Sequence, residues 1–179
     1  MTDWLPQTYL LGLVVLLGGA SIAVTRQILR VRRDELTLSR LDNKEREEGQ
    51  PTASELYELA SVQLRKRLYR QAGDNLRQAL KLAQKEGEPA EARALIQNAL
   101  GFTLSAQGNY PAAVRHYRSA LKAKGDYPVA LNNLGYALEK QVQIDEARLT
   151  YEKVLKMDSA NKTAQKRLRA LERRHGQAA

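Results

Sequence analysis

Cysteine does not occur anywhere in the 179 residues. Its absence excludes a disulfide framework, thiolate-bound zinc, iron–sulfur clusters and cysteine nucleophiles, although it does not fix the compartment. Histidine is almost missing as well, with only His116 and His175. Neither has a second ligand or a nucleophile at useful spacing, so a metal site and a catalytic triad both lack support. No phosphate-cradling glycine loop is present, and the glycines are accounted for by turns, close helix contacts and an apolar run. The chain is expected to be non-catalytic, with no cofactor and no metal.

Charge is missing too from one long stretch: Trp4 to Thr25 carries none, in a chain of net charge +9. At 1.5 Å per residue, Leu5 to Thr25 makes roughly 30 Å of helix, the thickness of a bilayer's hydrocarbon core. Trp4 and Tyr9 stand near one interface, while Arg26, Arg30, Arg32 and Arg33 form a membrane-proximal basic cluster at the other. Because only Asp3 is charged before the span, the positive-inside rule predicts an N-terminus outside and everything after Arg26 in the cytoplasm or its equivalent. A cleaved signal peptide would carry its positive charge ahead of the apolar run rather than after it. A buried helix of a soluble protein would need a core larger than the rest of the chain can supply. Residues 1–25 are therefore expected to form a single transmembrane helix. Residues 26–52, with seven basic and six acidic side chains, are expected as a charged juxtamembrane helix or linker, broken near Gly49-Gln50-Pro51. The arginines suit contact with anionic lipid headgroups and, more simply, provide the orientation signal.

Beyond this point an internal period appears. Leu100-Gly101 recurs as Leu134-Gly135, Ala113 as Ala147, Tyr117 as Tyr151 and Ala120-Leu121 as Val154-Leu155, each 34 residues apart. A period of this length marks a repeated helical unit. Leu131, Leu134, Gly135 and Leu138 fall on one face of a first helix; Ala147, Tyr151, Val154 and Leu155 fall on one face of a second. Gly101 and Gly135 permit close approach, and the tyrosines fill the space between the paired helices. Gly108 suits the left-handed end of a first helix, and Pro111 the start of a second.

Leu100-Gly101, Gly108, Tyr110, Ala113, Tyr117 and Ala120 resemble the tetratricopeptide-repeat pattern, and residues 128–161 repeat it. A weaker copy fits residues 53–86, with Leu56, Leu59, Ala60, Tyr69, Ala72, Leu76, Ala79 and Leu80 in the matching places and a capping box from Thr52 and Glu55. The resemblance implies an all-α fold: an α-solenoid of about three helix pairs over residues 53–161 (53–86, 94–127, 128–161), closed by a basic capping helix and tail over 162–179. The offset between the first two units is 41 rather than 34, and the seven extra residues around Gly87-Glu88-Pro89 are expected to form a loop insertion. Departures from the pattern are Gln63 and Gln97 at apolar positions, Arg67 and Val142 at turn-glycine positions, and Gly125 and Ser159 where proline commonly closes a unit. The cap carries six basic residues against one acidic. Without interleaved aromatics this reads as a solvated face rather than a nucleic-acid site.

In such arrays the inner face of the curve is built largely from first helices. The resemblance carries partner binding onto Tyr57, Ser61, Asn98, Phe102, Asn132, Asn133, Tyr136 and Lys140. The pattern that clamps a chaperone's C-terminal carboxylate needs basic residues where this chain has Ala99 and Val129, which disfavours that partner. The order of parts, from Leu5-Pro6-Gln7-Thr8-Tyr9-Leu10 through the span and Arg26–Arg33 to Leu38-Ser39-Arg40-Leu41 and three repeats, is similar to the membrane-anchored tetratricopeptide proteins of cyanobacteria and plastids that assist photosystem I assembly. That likeness implies a thylakoid protein with its N-terminus lumenal and its repeats cytoplasmic or stromal, holding photosystem I subunits or assembly intermediates. A generic membrane-tethered adaptor for another complex, and more remotely an RNA-binding or regulatory array, remain open.

Overall fold

A computed structural model describes residues 4–48 and 51–176, with the side chains of 8–37, 39 and 51–173. All the secondary structure among them is helical: α1 (Trp4–Glu48), α2 (Ala53–Arg65), α3 (Tyr69–Lys85), α4 (Ala90–Ala106), α5 (Tyr110–Ala123), α6 (Pro128–Lys140), α7 (Ile144–Met157) and α8 (Lys162–Gly176). They divide into two bodies, Met1–Gly49 and Gln50–Ala179. The break expected at Gly49-Gln50-Pro51 lies partly outside the described residues, as do the side chains of Trp4 and His175.

The first body is one helix of 45 residues. Its segment Thr8–Thr37 contains a window of mean hydropathy 1.9 and is long and apolar enough to cross a membrane. Side chains from Thr8 to Arg33 are exposed. Its Leu, Val and Ile side chains lie on all sides of the helix, with no single apolar stripe to turn inward.

The second body pairs α2 with α3, α4 with α5 and α6 with α7, and places α8 against α7. Its start is fixed by the expected capping box: the Glu55 backbone N–H donates to Thr52 Oγ1 (3.3 Å), and the Thr52 N–H donates to Glu55 Oε2 (2.9 Å). The core is a ladder of alanines threaded by fully buried Leu76, Leu100, Tyr117, Leu138, Tyr151 and Val154. A methyl group added at Gly101 would come within 2.5 Å of Tyr117 Cε1, and at Gly135 within 2.7 Å of Tyr151 Cε1. Each glycine is therefore required by the tyrosine of the following helix.

The departures from the repeat pattern are compensated. Asn75 Nδ2 donates to Gln63 Oε1 at 2.9 Å, and Gln97 Oε1 lies 2.7 Å from His116 Nδ1. Two half-buried amides thus find partners in the neighbouring helix. Arg67 and Val142 adopt φ of 61° and 62°, the left-handed conformation that Gly108 takes at 81°. The turn geometry persists without its glycine.

One expectation is corrected. The seven extra residues do not form a loop. α3 has 17 residues against 14 in α5 and α7, and α4 has 17 against 13 in α2 and α6, so about one additional turn has been added to each. The connection Glu86–Pro89 is as short as Lys124–Tyr127 and Asp158–Asn161. Ala, Gln, Lys and Glu, which dominate this stretch, are strong helix formers, so lengthening two paired helices costs less than ordering an irregular loop.

Candidate functional site

The first helices α2, α4 and α6 neighbour one another, so positions 34 residues apart line up along one face. Three large apolar side chains stand exposed there: Leu95 (41%), Phe102 (44%) and Val129 (55%). Leu95 and Val129 share one position of the repeat, as do Phe102 and Tyr136. Covering what remains exposed is worth about half of the roughly 1.5–3 kcal/mol that full burial of such a side chain brings, before the costs of association.

Polar residues of the same face are already knit together. Asn133 Nδ2 donates to Asn98 Oδ1 at 3.0 Å, and Asn132 Nδ2 donates to Asn161 Oδ1 at 3.1 Å. Asn98 also hydrogen-bonds the Tyr127 hydroxyl; burial pushes that hydroxyl's pKa up, the nearby Tyr57 adds to the rise, and the Asn98 bond opposes it. Ser61 Oγ donates to the Tyr57 carbonyl at 2.8 Å. The asparagines thus hold α4, α6 and the start of α8 in register and present a partner with whatever hydrogen-bonding capacity remains.

At the far end Tyr136 carries two cations. Arg167 Cζ lies 4.8 Å and Lys140 Nζ 5.5 Å from its ring centroid, while Tyr110 meets it edge-on at 6.4 Å. Arg167 is 3.7 Å from Glu139 Oε2, and the Tyr151 hydroxyl donates to Glu139 Oε1 at 2.6 Å. The nearly buried Glu139 carboxylate is thus paired with Arg167, while Lys140 lies over the Tyr136 ring as a second cation.

All eight residues assigned from the resemblance lie in α2, α4 or α6, none of them buried. Leu95, Val129, Tyr127 and Arg167 were missed. The period itself places Leu95 and Val129 two residues into their repeats, and Arg167 falls 34 residues after Asn133. Arg26, Arg30, Arg32 and Arg33 belong to α1 and are exposed. Among the described residues no group of three or more His, Asp or Glu side chains is placed to hold a metal ion.

Two family profiles, both described as tetratricopeptide repeat, match residues 52–126 and 104–172. The chain is 35% identical over 93% of its length to the chloroplastic tetratricopeptide repeat domain-containing protein PYG7 of Arabidopsis thaliana, of which it spans about half the length (54%). It is 32% identical to protein ycf37 of Guillardia theta, over 96% of this chain and 94% of that one. Among solved structures, the first repeat domain of Spaghetti (RPAP3), bound to an HSP90 peptide, superposes with a TM-score of 0.64 at 18% identity, covering 70% of this chain and 94% of that one. This last likeness speaks to the fold alone.

Proposed function

The chain belongs to the tetratricopeptide repeat family, a family of protein-interaction modules, and from that premise we propose that it is a non-catalytic, membrane-anchored assembly factor that holds photosystem I subunits or assembly intermediates at the thylakoid membrane. The observation that carries this is the extent of the match. Similarity to a chloroplastic protein and to a ycf37 protein runs over 93% and 96% of the chain, so it takes in the N-terminal apolar helix as well as the repeats. A helix able to span a bilayer joined to a protein-binding array is what holding a membrane complex in assembly requires. The photosystem is what the likeness to the membrane-anchored tetratricopeptide proteins of cyanobacteria and plastids implies.

The face of α2, α4 and α6 is the surface offered to the partner, with Phe102 and Tyr136 as anchors. A chaperone's C-terminal carboxylate is a poor fit: Ala99 is buried and Val129 is exposed but apolar where cations would be needed. The test is to tag the chain in its own host, solubilise the membranes gently and identify what travels with it. Photosystem I subunits are expected. Their absence overturns the assignment, and recovery of an unrelated membrane complex favours the generic adaptor.

A further inference from the structure

The extra turns of α3 and α4 raise a helical tip above the regular array. On the α2 side of that tip lies a cleft of about 300 Å³. Its walls include Ala83 and Ala92 from the added turns, Glu88 from the connection, and Ala53, Tyr57 and Leu95 from the regular repeats. Ala53, Ala83 and Ala92 contribute only methyl groups, which keeps the space open between the Tyr57 ring and Leu95. The volume stands at the lower limit of small-molecule sites and suits one large side chain. On the α5 side the tip borders a wider cleft of about 530 Å³ that includes Arg93, Gln97 and Lys122. The two sides therefore differ in chemistry, and an apolar group is directed to the α2 side.

We infer that this tip is a docking pocket for one large apolar side chain of a polypeptide segment that carries a lysine or arginine beside it. The apolar requirement comes from the lining, and the basic neighbour from Glu88, the one charged residue in that lining. A flanking cation there gains Coulomb energy without burying either charge. Leu95 belongs both to the pocket and to the face of first helices, so the segment continues from one onto the other. Ala83 and Ala92 bring this chain's added turns into the pocket wall. The inference rests on the protein-binding reading above and specifies the partner's chemistry.

The test uses the full chain in lipid nanodiscs, panned against a phage-displayed dodecapeptide library, with the enriched peptides synthesised and measured by fluorescence anisotropy. The enriched peptides are expected to share a large apolar residue next to Lys or Arg. Affinity should fall at least tenfold in Leu95→Glu and in a variant lacking residues 83–85 and 90–93, with circular dichroism checking that each remains helical. Glu88→Lys should reverse the preference toward an acidic neighbour. No enrichment, a consensus without this pair, or affinity unchanged by Leu95→Glu would each overturn the pocket. Peptides that bind equally to the shortened variant would leave the protein-binding reading standing and remove only this one. Failure to co-purify photosystem subunits would remove the photosystem assignment and leave the pocket standing.

Discussion

Val142 is a β-branched residue held at φ 62° in a turn where the repeat pattern places glycine. The left-handed region brings Cβ against the carbonyl, a penalty of about 1–2 kcal/mol for a non-glycine residue. At 79% exposure its side chain has almost no packing to lose. Val142→Gly should therefore stabilise the array by about 0.5–1 kcal/mol after the larger unfolded-state entropy of glycine is subtracted, a gain readable as a higher urea midpoint. The opposite experiment is Gly135→Ala. Its methyl group would sit 2.7 Å from Tyr151 Cε1, and Tyr151 is fully buried and hydrogen-bonded to Glu139. Overpacking of this kind typically costs about 1–3 kcal/mol, so the midpoint should drop by a corresponding amount while the helical signal at low denaturant is kept. Both glycines and both tyrosines were legible in the sequence, because a 34-residue echo of Gly and Tyr has one geometric meaning. The left-handed arginine and valine were not, since position in the pattern identified the turn but not that the turn would survive the wrong residue.

Pairs of helices are joined by a few polar contacts that composition gave no hint of. Burial lowers the pKa of His116 below its ordinary value of 6.5, with Arg115 and Arg77 adding to the effect. The unfolded chain consequently takes up the proton first. The stability contributed by the neutral, Gln97-bonded imidazole is present above pH 6.5 and is lost as pH falls through that value toward the lower folded pKa. Comparing urea midpoints at pH 7.5 and 5.0 should show a drop that shrinks in His116→Gln, all other groups being common to both proteins. The link between α6, α7 and α8 is of another kind. Glu139 is held by the Tyr151 hydroxyl and Arg167, and its side chain is 8% exposed whereas that of Arg167 is 39% exposed. Arg167→Ala would leave that carboxylate short of a partner at a loss of about 2 kcal/mol, below the full buried-pair value because the arginine is partly solvated. The sequence could not reveal this contact: Glu139 and Arg167 each looked like an ordinary surface charge, and only the stacking of α8 on the preceding pair makes one of them nearly buried. The seven-residue insertion was hidden for a similar reason, since Gly87-Glu88-Pro89 marks a turn equally well whether the added residues are coil or helix.

For the molecule as a whole, the decisive contrast is between a helix whose Leu, Val and Ile side chains face outward and an array whose leucines face inward. Tyr9, Leu10, Leu11, Val15 and Leu16 are each at least 64% exposed. Burying side chains of this size recovers about 1.5–3 kcal/mol apiece, far more over a whole segment than the few kcal/mol of net stability of a domain. That difference is the basis for the membrane-anchored reading proposed above, in which lipid covers the segment. The full chain should partition into the detergent phase on cloud-point separation and resist carbonate extraction from membranes. Arg26, Arg30, Arg32 and Arg33 should then hold the array on the side where translation occurs, so protease added to sealed vesicles whose cytoplasmic or stromal face is outward should digest the repeats and spare the span. Protection of the repeats in that orientation would reverse the topology, and recovery of intact chain in the aqueous phase would show that α1 finds its apolar cover in protein rather than lipid.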